Sequence, residues 1–321
     1  MDLAIQTPQQ ATDLGRLGEL WEAADELGYR AAFTFDHLVP LYPGERPGST
    51  HEGPRTGAQL DGWLTATALA GRTRRLQVGT LVSGVTYRHP FVLAKQAVTL
   101  DRVTSGRAIL GVGAGWHQPE HDMVGLPFPP PSARVRLLAE TLEAFRLLCG
   151  PDPVTFHGVH VHLTEALFEP KPVRPSGIPV LVGGSGPAVM RVAAQYGQYY
   201  NGFWTPEDWP SVHERLDRRL VSVGREPSSL HRTGYTFGEL SGDLRAGDEL
   251  VARTARTRGG DPASVRSRLL VGDEDHLTDV LRRYRDAGLR MLVVSLEDGT
   301  TPEHLARLAR AARPLAEEAT R

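Results

Sequence analysis

One cysteine, Cys149, is all the chain has, so an intrachain disulfide cannot form and there is no set of thiolates to hold a metal. No charge sign dominates: 36 basic and 38 acidic residues leave a net charge of −2, which gives no electrostatic case for nucleic acid or an anionic membrane. No apolar run comes near the roughly 20 residues a membrane helix needs. The opening residues, Met1-Asp-Leu-Ala-Ile-Gln6, read as a strand, without the basic segment and apolar stretch of a secretory leader. These absences leave a cytoplasmic, enzyme-sized protein whose partner is a small molecule. At 40% hydrophobic and 23% charged, the chain can bury an ordinary globular core.

Periodicity supplies the architecture. Short apolar runs recur at Leu3–Gln6, Ala31–Phe35, Leu76–Val82, Ala108–Val112, Ile178–Val182, Tyr199–Phe203, Thr233–Glu239 and Met291–Leu296. Between them lie segments with helical spacing, such as Leu14, Leu17, Trp21, Ala24 and Leu27 behind a candidate cap at Asp13. Continuous apolar strands alternating with helices indicate a parallel sheet covered on both faces. Eight such units predict an α/β protein, a (β/α)8 TIM barrel spanning 1–321 as a single domain. Two segments depart from the alternation. Residues 40–58 read as a long Gly- and Pro-rich loop, which is uncommon without a function. Residues 151–177 read as an irregular insertion, with a possible hairpin pairing Val154–Phe156 with Val159–Leu163.

In such a barrel the chemistry sits on loops after the strand tips. The stretch Arg107–Trp116 stands out there, because Gly111, Gly113 and Gly115 alternate where the fourth strand ends. Glycine lets a backbone or a flat ligand come close. A dinucleotide fingerprint fails on spacing, since Trp116 stands where a third glycine would be needed. His117-Gln-Pro-Glu-His121 matches a metalloprotease string literally, but Pro119 interrupts the helix that would set both histidines on one face. No metal site is expected there, nor at His160 and His162. Gly183, Gly184, Ser185, Gly186 and Pro187 join a strand to a helix, where exposed N–H groups favour an anion such as phosphate. Asp36-His37 ends the second strand, placing a group that titrates near neutral pH beside a carboxylate that could fix its tautomer.

Asp36-His37, Tyr87-Arg-His-Pro90, Asp101-Arg102, Ser105-Gly-Arg107, Leu110–Trp116 with Glu120, Leu181–Pro187 and Asn201-Gly202 occur in an order and spacing that resembles the bacterial luciferase-like monooxygenase superfamily, and most closely its F420-dependent branch. The resemblance implies a deazaflavin ring at the barrel mouth and a non-prolyl cis peptide near Leu81-Val82, with Thr80, Leu81 and Val82 against the ring. It implies that Gly113, Ala114, Gly115 and Trp116 flank the ring, and that Gly183–Pro187 take the phosphate of the ribityl tail. His37 would act as proton donor or acceptor, with Asp36 beside it. Family members often carry an acid directly after the Gly-rich turn; Trp116 stands there in this chain, so that role passes to Glu120. The substrate would lie among the 40–58 loop, Trp116, Glu120, Phe203 and Trp204. Hydride transfer with coenzyme F420 is the expected activity, in a homodimer. An FMN-dependent monooxygenase and a non-catalytic flavin-binding protein are the alternatives; oxygen uptake separates the first from F420 chemistry, because deazaflavin lacks the nitrogen that oxygen activation uses.

Overall fold

The computed structural model describes residues 1–41, 57–297 and 299–318. Among the described residues there are ten strands, eight of which alternate with helical segments. The strands are β1 (Asp2–Gln6), β2 (Ala31–Asp36), β3 (Gln77–Gly84), β4 (Ala108–Gly113), β5 (Val154–His157), β6 (His162–Ala166), β7 (Val180–Gly183), β8 (Tyr199–Gly202), β9 (His231–Gly238) and β10 (Met291–Leu296). The helices are α1 (Leu14–Glu26), α2 (Gly62–Ala70), α3 (Pro90–Val103), α4 (Gln118–Val124), α5 (Pro131–Leu148), α6 (Pro187–Tyr196), α7 (Trp209–Ser222), α8 (Leu244–Arg258), α9 (Pro262–Arg266), α10 (Glu274–Asp286) and α11 (Pro302–Glu318). Eight strands close a parallel barrel in the order β1-β10-β9-β8-β7-β4-β3-β2, as the alternation predicts.

The apolar runs are continuous because each strand feeds two cores. Ala4, Phe33, Leu81, Ile109, Leu181 and Val293 fill the barrel interior. Their neighbours Ile5, Ala32, Leu110, Val182, Leu292 and Val294 pack outward into the layer beneath the helices. That alternation is the period of two of a pleated strand. It also fixes what reaches the mouth, since Gln6, Phe35, Gly113, Gly183 and Phe237 continue the inward-facing series toward the strand tips.

The insertion pairs differently from its apolar pattern. β5 and β6 form the hairpin, but the pairing joins Phe156 to Leu163 and His157 to His162, so Val159 and His160 lie in the turn. Glu140 on α5 explains the shift: its carboxylate accepts from the backbone N–H of Val159, His160 and Val161 at 3.0, 2.7 and 3.1 Å. A turn anchored from another element leaves no period in the sequence. Most of the 40–58 loop lies outside the described residues. No helix among the described residues is long and apolar enough to cross a membrane.

Candidate active site at the carboxyl end of the barrel

His37 follows the tip of β2, and its ring is almost wholly buried. Glu120, near the start of α4, is fully buried and meets it: His37 Nδ1 lies 2.8 Å from Glu120 Oε2. Tyr87, after β3, donates its hydroxyl to the same oxygen and lies 3.3 Å from His37 Nδ1. Glu120 Oε1 accepts from the backbone N–H of Leu38 and, at 3.1 Å, of Val39. Burial alone would push this carboxyl up. The hydrogen bonds and charge of His37, then the donors Tyr87 and Leu38, outweigh it and hold the group at about 2. Burial and the adjacent Glu120 charge push the Tyr87 phenol far above its ordinary range, so it stays a donor.

A carboxylate accepts only, so Nδ1 carries a ring proton and Nε2 is the nitrogen at which a further proton can come or go. No described residue bonds Nε2. Beside the His37 ring stand Phe35 and Trp116, each with its ring centroid 5.5 Å from that of His37. The site therefore presents one imidazole, fixed in tautomer and orientation, in a largely aromatic setting.

The carboxylate that orients His37 is thus Glu120, and Asp36 does something else. Asp36 is buried against Arg88 in a two-pronged ion pair, with Arg88 Nη2 at 3.0 Å from Oδ1. Burial opposes the Arg88 charge, but the Asp36 partner raises its pKa overall. Adjacent residues at a strand end point to opposite sides, which sets Asp36 outward as His37 turns in. Glu120, expected beside the substrate, has every oxygen engaged beneath His37 instead. Neither Tyr87 nor Arg88 received a role from the sequence, although both stand in the motif Tyr87-Arg-His-Pro90. The available signal was the pair of carboxylates themselves, since buried acids require donors.

The peptide between Leu81 and Val82 is cis, at the position the resemblance implies, and the pairing of β3 with both neighbours shifts register around it. Gln6 Nε2 donates to Leu81 O at 2.6 Å. Thr80 is fully buried behind the bulge, its hydroxyl 2.8 Å from that of Ser83, and does not face the mouth. The glycines acquire a specific reason here. A Cβ on Gly111 would lie 1.9 Å from Thr80 O; on Gly113, 2.9 Å from Val82 Cγ2; on Gly183, 3.0 Å from Val82 Cγ1. What comes close to these glycines is β3 and the Val82 side chain. Any flat ligand would rest on half-buried Val82 rather than on bare glycine backbone.

After β7, Gly184 adopts φ +140° and Gly186 caps α6 without a side-chain hydrogen bond. Ser185, Gly186, Pro187 and Ala188 are exposed, and a Cβ on Gly186 would meet nothing within 4 Å. The turn is an open cradle at a helix N-terminus, and a phosphate fits its donor set. The string His117–His121 is not arranged for a metal: His117 caps α4, while His121 Nδ1 donates to His117 O at 2.8 Å and its Nε2 lies 2.7 Å from Thr86 Oγ1. Phe203 follows the tip of β8 and meets Tyr235 and Phe237 of β9. Trp204 turns away from the mouth: its Nε1 donates to Tyr200 Oη at 3.0 Å and its ring packs into the outer core, where the bare Cα of Gly202 makes room.

Residues 2–237 match the family model described as luciferase-like monooxygenase. The chain belongs to that family. It is 30% identical over 305 residues to a protein of Nakamurella multipartita named F420-dependent glucose-6-phosphate dehydrogenase, covering 86% of this chain and 85% of that one. A 4-hydroxyprotoasukamycin monooxygenase of Streptomyces nodosus subsp. asukaensis is 37% identical over 190 residues, 59% of this chain and 47% of that one. Among solved structures, an F420-dependent secondary alcohol dehydrogenase superposes with a TM-score of 0.80 over 97% of both chains at 16% identity, a likeness of fold.

Proposed function

We propose that this protein is an F420-dependent oxidoreductase, exchanging a hydride with a small organic substrate while His37 gives or takes the matching proton at Nε2. The observation that carries the reading is the buried Glu120 carboxylate on His37 Nδ1, which leaves Nε2 as the one proton-transfer atom turned away from its supports. The relatives named for F420-dependent dehydrogenation support it, at 30% and 33% identity over most of the chain.

Gly183–Pro187 and the start of α6 would hold the phosphate of the cofactor tail. Leu81 and Val82 would back the ring, with Gly113–Trp116 at its edge. When bound, F420 supplies a two-electron hydride carrier. His37 supplies the proton, which the hydride carrier alone cannot balance in an alcohol–carbonyl exchange. Tyr87 and the backbone N–H groups of Leu38 and Val39 keep Glu120 ionised, so the imidazole keeps its tautomer and orientation. Asp36 and Arg88 hold the end of β2 to the turn after β3. The resemblance also implies a homodimer and the composition a cytoplasmic protein, which sedimentation and cell fractionation check.

A second reading, an FMN-dependent monooxygenase, draws its monooxygenase part from the 37% identity over 190 residues to the protein named 4-hydroxyprotoasukamycin monooxygenase. Fluorescence titration of the purified protein with F420 and with FMN decides between them. Tight F420 and weak FMN binding without oxygen uptake supports the proposal. Tight FMN binding with oxygen consumption replaces it, and binding of neither removes the phosphate assignment at Gly183–Pro187.

A further inference from the structure

A cavity lies at the opposite end of the barrel from His37. It is bounded by the end of α5, the segment 171–178 that leads into β7, the end of α6, and Arg225 after α7. Val180 begins β7 and Gln198 precedes β8, so the cavity sits at the amino ends of these strands, whereas Gly183–Pro187 lies at the carboxyl end of β7. Its volume is about 590 Å³, the size of a small-molecule site and far more than an inorganic ion fills.

The lining is cationic. Arg146, Lys171, Arg174 and Arg225 contribute to it and, among the described residues, no carboxylate does. Two of these cations are already balanced: Arg146 Nη2 lies 2.6 Å from Glu143 Oε1, and Lys171 Nζ 2.7 Å from Asp152 Oδ1. Arg225 has no acid. It donates to the carbonyls of Ala194, Gly197 and Ser229 at 2.8, 2.9 and 3.0 Å, and burial pushes its pKa down. Arg174 has no hydrogen bond or ion pair to any described residue, and its Nε and Nη2 are shielded from solvent as well. Asp101, whose Oδ2 accepts from the N–H of the neighbouring Val173 at 2.8 Å, makes no ion pair with it. A shielded guanidinium nitrogen normally has an acceptor, and one without calls for a bound anion. Beside these cations stand Phe145, Ile178, Val180 and Tyr196, an apolar flank that an inorganic anion would leave uncovered.

We infer that this cavity is a second binding site, separate from the catalytic mouth, for a ring-bearing phosphate monoester of nucleotide size. Arg174 and Arg225 take the phosphate, and Phe145, Ile178 and Tyr196 take the ring. Two cations without a carboxylate match the charge of a phosphate monoester, about −1.5 to −2 at pH 7. A guanidinium meets phosphate through two parallel hydrogen bonds, which suits the planar fork of Arg174. The site is independent of the oxidoreductase reading.

Calorimetric titration with adenosine 5′-monophosphate, adenosine and inorganic phosphate tests it, with and without saturating F420. The monophosphate should bind saturably, and adenosine and inorganic phosphate at least about tenfold more weakly. Arg174→Gln should weaken the monophosphate about tenfold or more, and Arg174→Lys by less, since it keeps the charge without the planar fork. Both variants should keep the wild-type circular dichroism and thermal midpoint, because an unpaired cation has no partner for folding to lose. F420 should leave the monophosphate affinity unchanged, since the Gly183–Pro187 cradle lies at the other end of β7; the Arg174 comparison decides whether or not F420 binds. Inorganic phosphate bound as tightly as the monophosphate reduces the site to one for a bare ion and overturns the proposal. Displacement of the monophosphate by F420 overturns it too, as does an Arg174→Gln variant with unchanged affinity. Absence of monophosphate binding to the wild type, with a lowered thermal midpoint in Arg174→Gln, assigns Arg174 to balancing Asp101 within the fold and likewise overturns it.

Discussion

Glu120→Gln tests the centre of the site through stability alone. The wild-type carboxyl moves from an ordinary 4.5 to about 2 on folding, which corresponds to roughly 3 kcal/mol in favour of the folded state. Because the folded value is the lower one, this contribution is complete above pH 4.5 and disappears as pH falls toward 2. At pH 3 about 2 of those 3 kcal/mol are already gone. Glutamine is nearly isosteric, but its NH2 must face either His37 and Tyr87 or the two backbone N–H groups, donor against donor. The variant should therefore lose about 3 kcal/mol at pH 7, where the ionised carboxylate is replaced. The gap between the two proteins should narrow by about 2 kcal/mol at pH 3. Urea denaturation of both proteins at pH 7, 5, 4 and 3 measures the difference, and every other acid cancels in it. A gap that stays constant with pH would refute the argument, for it would mean that the loss comes from packing and not from the charge.

Four further outcomes follow from the same geometry. Tyr87→Phe removes one donor to the buried carboxylate and should cost about 1–3 kcal/mol in denaturant unfolding without altering the fold by circular dichroism. His37→Ala should retain F420 affinity and lower turnover by about 10²- to 10⁴-fold, read by the bleaching of F420 absorbance; full turnover would remove His37 from proton transfer. Gly113→Ala drives a Cβ to 2.9 Å from Val82 Cγ2 and 3.2 Å from Gly183 O, and should cost about 1–3 kcal/mol with weaker F420 binding. Gly186→Ala, by contrast, adds a methyl where nothing lies within 4 Å at an ordinary φ of −73°, so its thermal midpoint should stay near that of the wild type.

The barrel was legible because a (β/α)8 fold writes itself in two periods, one for strands and one for helices, and both are local. The helix caps at Asp13 and the cradle at Gly183–Pro187 are local for the same reason: Asp13 accepts from Arg16 N at 3.0 Å, three residues on. His37 could be found as well, since a strand tip followed by a histidine is a short pattern. Its partner could not. Glu120 lies 83 positions away in the chain, whereas Asp36 is adjacent and carries the same chemical group. Sequence proximity favours Asp36; the pleat decides against it, because neighbours on a strand face opposite ways and the adjacent carboxylate is the one least able to reach the ring. The glycines teach a related point. Gly111 and Gly113 on β4 and Gly183 on β7 report that something comes close, and a ligand and a neighbouring strand leave the same mark. Only the position of Val82 between Gly113 and Gly183 distinguishes them. A bulky residue in place of Val82 should therefore disturb β4 and β7 before it disturbs any cofactor, and a smaller one, Val82→Ala, should open a gap under the ring site that costs about 1–2 kcal/mol on unfolding and lowers F420 affinity together. Loss of affinity with unchanged stability would mean that Val82 serves the ligand alone and that the glycines are small for some other reason.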